Sequence, residues 1–179
     1  MLKLNKTSNI LMDIQYLPSE NFDNRPVGVE IDTIVLHCIS LPEGDYTTNY
    51  VIDLFLNDLN INAHPSFQEL KDIKVSSHIF IRRNGNIIQF VPFNSRAWHA
   101  GKSSYQGRNN FNDFSIGIEL EGTTTSFFEE IQYDALKNVI KTLKTNYPNI
   151  KDNNIIGHSD ISPDRKNDPG SFFDWNKIK

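Results

Sequence analysis

The chain's apolar positions fall into three patterns: unbroken β-branched runs, strict alternation with polar residues, and helical spacing. Thr33-Ile34-Val35-Leu36-His37-Cys38-Ile39 is unbroken apart from His37, and its length and β-branched content predict a central strand covered on both faces. Ser77–Arg82 and Ile87–Val91 flank Arg83-Asn84-Gly85-Asn86. This predicts a hairpin in which Asn84-Gly85 supplies the two positive-φ residues of a type I′ turn. Ser115–Glu121 alternates strictly, placing Ile116, Ile118 and Leu120 on an apolar face and Ser115, Gly117, Glu119 and Glu121 on the other. Val51, Leu54 and Phe55 space a short helix over about Tyr50–Leu59, after a loop at Leu41–Tyr46 that carries Pro42 and Gly44. Ser126-Phe127-Phe128-Glu129 has the form of a capping box opening a longer helix. That helix carries an apolar stripe of Ile131, Leu136, Val139, Ile140 and Leu143, and Tyr147-Pro148 closes it. Strands mixed with helices, including an antiparallel pair, make the fold class α+β.

Residues 1–30 are polar and interrupted by Pro18 and Pro26, which predicts an irregular arm packed on the core. With no internal repeat in 179 residues, the expectation is one domain, 1–179. The net charge of −4 disfavours nucleic acid and anionic membrane as partners, since both select a basic face. Cys38 is the single cysteine, so no internal disulfide forms. The amino-terminal segment lacks the apolar run of a signal peptide, and no stretch reaches transmembrane length, so a cytoplasmic protein is expected.

His37 sits near the carboxyl end of its strand, with Cys38 pointing to the opposite face. A lone histidine in such a strand is more often a hydrogen-bonded core residue. His158, however, ends another apolar run, Ile155-Ile156-Gly157, and Asp168 is held on a turn by Pro169 and Gly170. Two imidazoles and a carboxylate are the ligand set of a catalytic zinc that keeps one position open for water, although the long separations do not establish the site. Glu119 is a candidate general base beside it, or else a solvated strand carboxylate. Lys166 is a candidate oxyanion stabiliser, or else an ordinary surface lysine. In Arg96-Ala97-Trp98-His99-Ala100-Gly101, Trp98 and His99 are candidate substrate contacts, with a core role for Trp98 the other reading. His64 and His78 show no partner pattern and read as structural.

Several segments taken together resemble the zinc-dependent N-acetylmuramoyl-L-alanine amidases, specifically the AmpD type that cleaves 1,6-anhydro-muropeptides. They include Val35-Leu36-His37, Ala63-His64-Pro65, Arg96–Gly101, Tyr105-Gln106-Gly107-Arg108, Asn112–Thr123, Gly157-His158-Ser159-Asp160 and Pro163–Gly170, and the likeness runs from about Pro18 to Trp175. The resemblance implies a mixed β-sheet flanked by helices, shared with peptidoglycan-recognition proteins. It implies His37, His158 and Asp168 as ligands of one zinc ion, Glu119 as general base and Lys166 as transition-state stabiliser. The implied substrate is a small muropeptide, cut between the lactyl group and L-Ala in cytoplasmic peptidoglycan recycling. Trp98, His99, Lys74 and Arg108 are the expected substrate contacts. Cys38 stands where the family often has Asn, and Lys74 and Asn110 stand where it has arginines. Two other readings are a non-catalytic muropeptide-binding module and a lytic amidase acting on intact wall.

Overall fold

A computed structural model describes residues 2–178; Met1, at the head of the predicted arm, lies outside the described residues. The arm carries four short strands, β1 (Leu4–Asn5), β2 (Ile10–Leu11), β3 (Gln15–Tyr16) and β4 (Phe22–Asn24), where an irregular segment was expected. Then follow β5 (Thr33–Ile39), α1 (Tyr50–Phe55), β6 (Ile79–Ile81), β7 (Ile87–Gln89), β8 (Ser95–Ala97), β9 (Ser104–Tyr105) and β10 (Arg108–Asn109). The chain ends with β11 (Ser115–Glu121), α2 (Glu130–Asn146), β12 (Ile155–Gly157) and α3 (His158–Ile161), the last followed by irregular chain and a 3-10 turn at Trp175–Ile178.

Six strands form one sheet in the order β12-β5-β11-β6-β7-β3. The β12–β5, β5–β11, β11–β6 and β7–β3 pairs are parallel and the β6–β7 pair is antiparallel, so the sheet is mixed as expected. Ile34, Leu36, Ile116, Ile118 and Leu120 point to one face, where Tyr133, Leu136, Val139, Ile140 and Leu143 of α2 seal them into the main core. The other face is closed by α1, through Val51, Leu54 and Phe55, and by a cluster of Val35, Ala100, Phe111, Phe114, Ile156 and Ile161. His37 and Glu119 look into this second layer.

Several local expectations are corrected. Of the two readings of β11's polar face the solvated one is excluded: all seven residues are buried, because β5 and β6 flank the strand and chain covers both faces. Glu121 is matched there by Arg82 at 3.3 Å and by the Arg83 amide at 2.8 Å. Those two bonds also shape the β6–β7 turn, which spans Arg82–Asn86 and holds only Gly85, not Asn84, at positive φ. The longer helix starts three residues late for a Ser126 cap: Glu129 caps it in a reciprocal box with Gln132, while Ser126 bonds Thr123. Ile131 is exposed rather than part of the stripe. Helix α1 stops at Phe55 because the chain turns at Asn57, whose φ is +63°.

Candidate active site

Parallel pairing sets the site. β11 places Glu119 directly beside His37 in register, and β12, pairing Gly157 with Leu36, delivers His158 next to the same residue. Asp168 reaches them from the closing loop, whose carbonyl at Asp168 accepts the Ser159 N–H at 2.9 Å. That loop turns away at Gly170, where φ is +90° and any Cβ would overlap the Thr124 backbone. His37 Nδ1 lies 2.9 Å from His158 Nδ1, and each lies 3.1 Å from Asp168 Oδ2. All three residues are buried.

This donor triangle fits a metal ion. His158 Nε2 lies 3.2 Å from the Ala100 carbonyl, which can only accept, so in the neutral imidazole the ring proton sits on Nε2 and Nδ1 carries a lone pair. That lone pair and the Asp168 carboxylate therefore face one another with no proton between them. A bound cation removes the repulsion, and three ligands on one side leave coordination open toward the cavity.

The cavity, about 250 Å³, is lined by these ligands together with Trp98, His99, Glu119, Lys166 and an apolar wall that includes Leu54, Leu70 and Ile73. A larger hollow of about 560 Å³ between Lys102–Ser104 and Ile161–Arg165 contains neither the donor set nor Glu119. Glu119 is 9% exposed, and its Oε2 has no hydrogen-bond partner. Burial, then the neighbouring Asp168 carboxylate, raises its carboxyl well above the ordinary range, and Lys166 offsets part of this. Burial likewise lowers His37, to about 4, and holds His99 well below its usual value. The Cys38 thiol is pushed up by burial and then by Glu119, which disfavours the reactive thiolate.

Lys166 is half-buried at the rim, and Trp98 is held by exchanges between its backbone and Ser76. Lys74 is exposed and borders an adjoining hollow of about 220 Å³ that shares Leu54, Leu70 and Ile73 with the cavity. Arg108 lies elsewhere: it pairs with Asp32 at 3.0 Å, stacks on Phe114, and borders a recess with Thr33 and Tyr105. Both ring nitrogens of His99 are engaged by protein, 3.0 Å from His37 Nε2 and 3.2 Å from Ser115 Oγ. Ser115, Asn112 and Arg25 were not singled out from the sequence. The one available signal was Gly117 inside a strand, which marks a close approach.

His78 is fully buried, stacked on Phe93; its Nδ1 accepts the Gly117 N–H, and Arg25 and the Ser95 carbonyl lie at Nε2. Burial, reinforced by Arg25 and opposed by the Ser95 carbonyl, lowers its pKa to about 3. A depressed histidine makes the unfolded chain the better proton binder. Its contribution is complete above about pH 6.5 and is lost as pH falls toward 3, at about 1.4 kcal/mol per pH unit. Urea unfolding is expected to show that loss between about pH 6.5 and 4.5 and a shallower one in His78→Gln. A stability independent of pH across that interval contradicts the assignment.

A family model described as N-acetylmuramoyl-L-alanine amidase matches residues 27–171 of this chain. The 1,6-anhydro-N-acetylmuramyl-L-alanine amidase AmpD of Salmonella typhimurium strain SL1344 is 47% identical over 169 residues, covering 94% of this chain and 90% of its own length. The crystal structure of a selenomethionine derivative of AmpD matches with a TM-score of 0.94 at 46% identity, over 98% of this chain and 96% of that one. A complex of the amidase AmiD from E. coli with the substrate anhydro-N-acetylmuramic acid-L-Ala-D-gamma-Glu-L-Lys matches with a TM-score of 0.61 at 29% identity, over 89% of this chain and 65% of that one.

Proposed function

This chain belongs to the N-acetylmuramoyl-L-alanine amidase family, and on that premise we propose that it is a zinc hydrolase of small muropeptides. The bond cut is the amide between the lactyl group of 1,6-anhydro-N-acetylmuramic acid and the L-Ala of the stem peptide. The observation that carries the reading is the buried His37–His158–Asp168 triangle opening onto a cavity that also holds an unpaired Glu119. The relatives named 1,6-anhydro-N-acetylmuramyl-L-alanine amidase, and the AmiD complex with an anhydro-muropeptide, support the choice of substrate.

His37, His158 and Asp168 would hold the zinc, which when bound would supply a water of lowered pKa and a Lewis acid for the scissile carbonyl. Glu119 accepts a proton from the attacking water as the new C–O bond forms. The Lys166 ammonium, at the cavity rim, stabilises the oxyanion of the tetrahedral intermediate. Glu119 then returns the proton to the L-Ala nitrogen as the C–N bond breaks, releasing free sugar acid and free peptide. Trp98 and Lys74 contact the substrate from the cavity and the adjoining hollow. No described helix is long and apolar enough to cross a membrane. We place the reaction in cytoplasmic peptidoglycan recycling, a reducing setting that suits a lone cysteine.

Mass spectrometry of the protein incubated with an anhydro-muramyl tripeptide tests this. Free anhydro-N-acetylmuramic acid and tripeptide are expected, with both products lost on adding a zinc chelator. Intact tripeptide substrate beside a zinc-loaded protein overturns the substrate assignment, and clearing of a suspension of purified sacculi would then point to intact wall.

A further inference from the structure

We propose that His99-Ala100, clamped by Asn112, forms the outer support of both imidazole ligands, and that His99 is a positioning residue which fixes His37 as the Nε2–H tautomer. The inference rests on the metal-site reading above and assigns His99 a role other than substrate contact.

The direction of each hydrogen bond follows from groups that have only one role. The Phe111 carbonyl can only accept, so the Ser115 hydroxyl donates its one proton there. Ser115 Oγ must then accept at its other contact, which puts a proton on His99 Nε2, 3.2 Å away. In a neutral ring that leaves a lone pair on His99 Nδ1. This lone pair accepts from His37 Nε2 at 3.0 Å, and the Nδ1 of His37 is left bare toward His158 and Asp168. The next residue does the same for the second ligand: the Ala100 carbonyl accepts from His158 Nε2 at 3.2 Å. One dipeptide thus presents two Nδ1 lone pairs to one point.

The dipeptide is itself immobilised. Asn112 Oδ1 accepts the N–H groups of both His99, at 3.1 Å, and Ala100, at 2.8 Å. The His99 ring lies against Gly117, where a Cβ would overlap it, and meets His37 and His78 edge-on at centroid separations of 5.1 and 5.8 Å. Arg25 of the arm holds the Asn112 and Asp113 carbonyls at 3.0 Å and that of Ser115 at 2.8 Å, fixing the chain from which the clamp and the relay project. Without the acceptor on His99, His37 is free to carry its proton on Nδ1, and a metal must expel that proton to bind.

The test uses the full chain. Imidazole ¹⁵N–¹H correlation spectra of the metal-free wild-type protein are expected to show His37 and His99 both protonated on Nε2 and bare on Nδ1. Zinc affinity, measured by competition with a chromophoric chelator, is expected to fall about 10–100-fold in His99→Phe, which fills the space and accepts nothing. It is expected to recover largely in His99→Asn, whose Oδ1 stands where Nδ1 stood. A wild-type spectrum with either ring protonated on Nδ1 overturns the proposal without any variant. Equal zinc affinity in wild type and a folded His99→Phe also overturns it, leaving the metal site intact. A wild type that binds no zinc removes the metal-site reading and this one with it.

Discussion

Replacing Glu119 with Gln is expected to lower kcat by about 10²–10⁴-fold, with the zinc content of the protein unchanged. Gln keeps the shape of the side chain and loses only the capacity to take and return a proton, so the variant isolates that step. The carboxyl is suited to it on two counts. Its Oε2 is buried without a partner, so the proton it accepts meets no competing hydrogen bond. Burial and then Asp168 raise its pKa, bringing a carboxylate closer to the pH at which a base must also act as an acid. The sign of the stability effect follows: a raised carboxyl favours the folded state at low pH, and that advantage is lost as pH rises through its folded pKa. In metal-free protein, Glu119→Gln is therefore expected to unfold no more readily than wild type at alkaline pH. Turnover would be followed by chromatography of the released peptide and zinc by atomic absorption. Wild-type turnover in Glu119→Gln removes Glu119 as the base, and loss of zinc would place it in the ligand set instead.

The strands that carry the site were legible because burial leaves a mark in composition. Thr33–Ile39 reads as a central strand, and a histidine near the end of such a run stands out. Ile155–Gly157 and the Pro169-Gly170 turn are as plain, and the structure brings His158 and Asp168 to His37. Alternation alone left β11 open between a solvated face and a site-forming one, since a polar face predicts solvent only if nothing covers it. Here each polar position has a specific occupant: Ser115 bonds His99, Gly117 makes room for that ring, Glu119 enters the cavity and Glu121 meets Arg82. The turn at Arg82–Asn86 and the cap of α2 failed for the same reason. Glu121 on β11 takes the Arg83 amide, and Arg83 in turn pairs with Glu129 at the start of α2. Those are contacts across 38 and 46 positions, which local propensity does not record. Arg25 is the extreme case: a half-buried guanidinium in a polar arm, holding carbonyls 87–90 residues away.

Changing Asp168 to Asn is expected to separate a metal ligand from a structural hydrogen-bond partner, because the two roles predict opposite shifts in the metal-free protein. Were Asp168 a structural acceptor for two imidazole N–H groups, its loss would cost about 1–3 kcal/mol with or without metal. The relay through Ser115 and His99, and the Ala100 carbonyl, instead leave bare nitrogens on both rings, so the wild-type carboxylate faces two acceptors at 3.1 Å. Asn brings an N–H donor into that gap and removes a negative charge. Metal-free Asp168→Asn is therefore expected to melt at or above the temperature of metal-free wild type. Zinc reverses the order. At a free concentration of about 100 times its Kd, the ion stabilises wild type by roughly 2.7 kcal/mol, a rise in Tm of roughly 5–10 °C for a chain of this size. Asp168→Asn, with one anionic ligand fewer, is expected to show little of that rise and to lose turnover with it. Calorimetry with and without zinc reads both effects in one pair of proteins. An equal loss of Tm in both conditions would make Asp168 a structural acceptor and return His37 and His158 to the core.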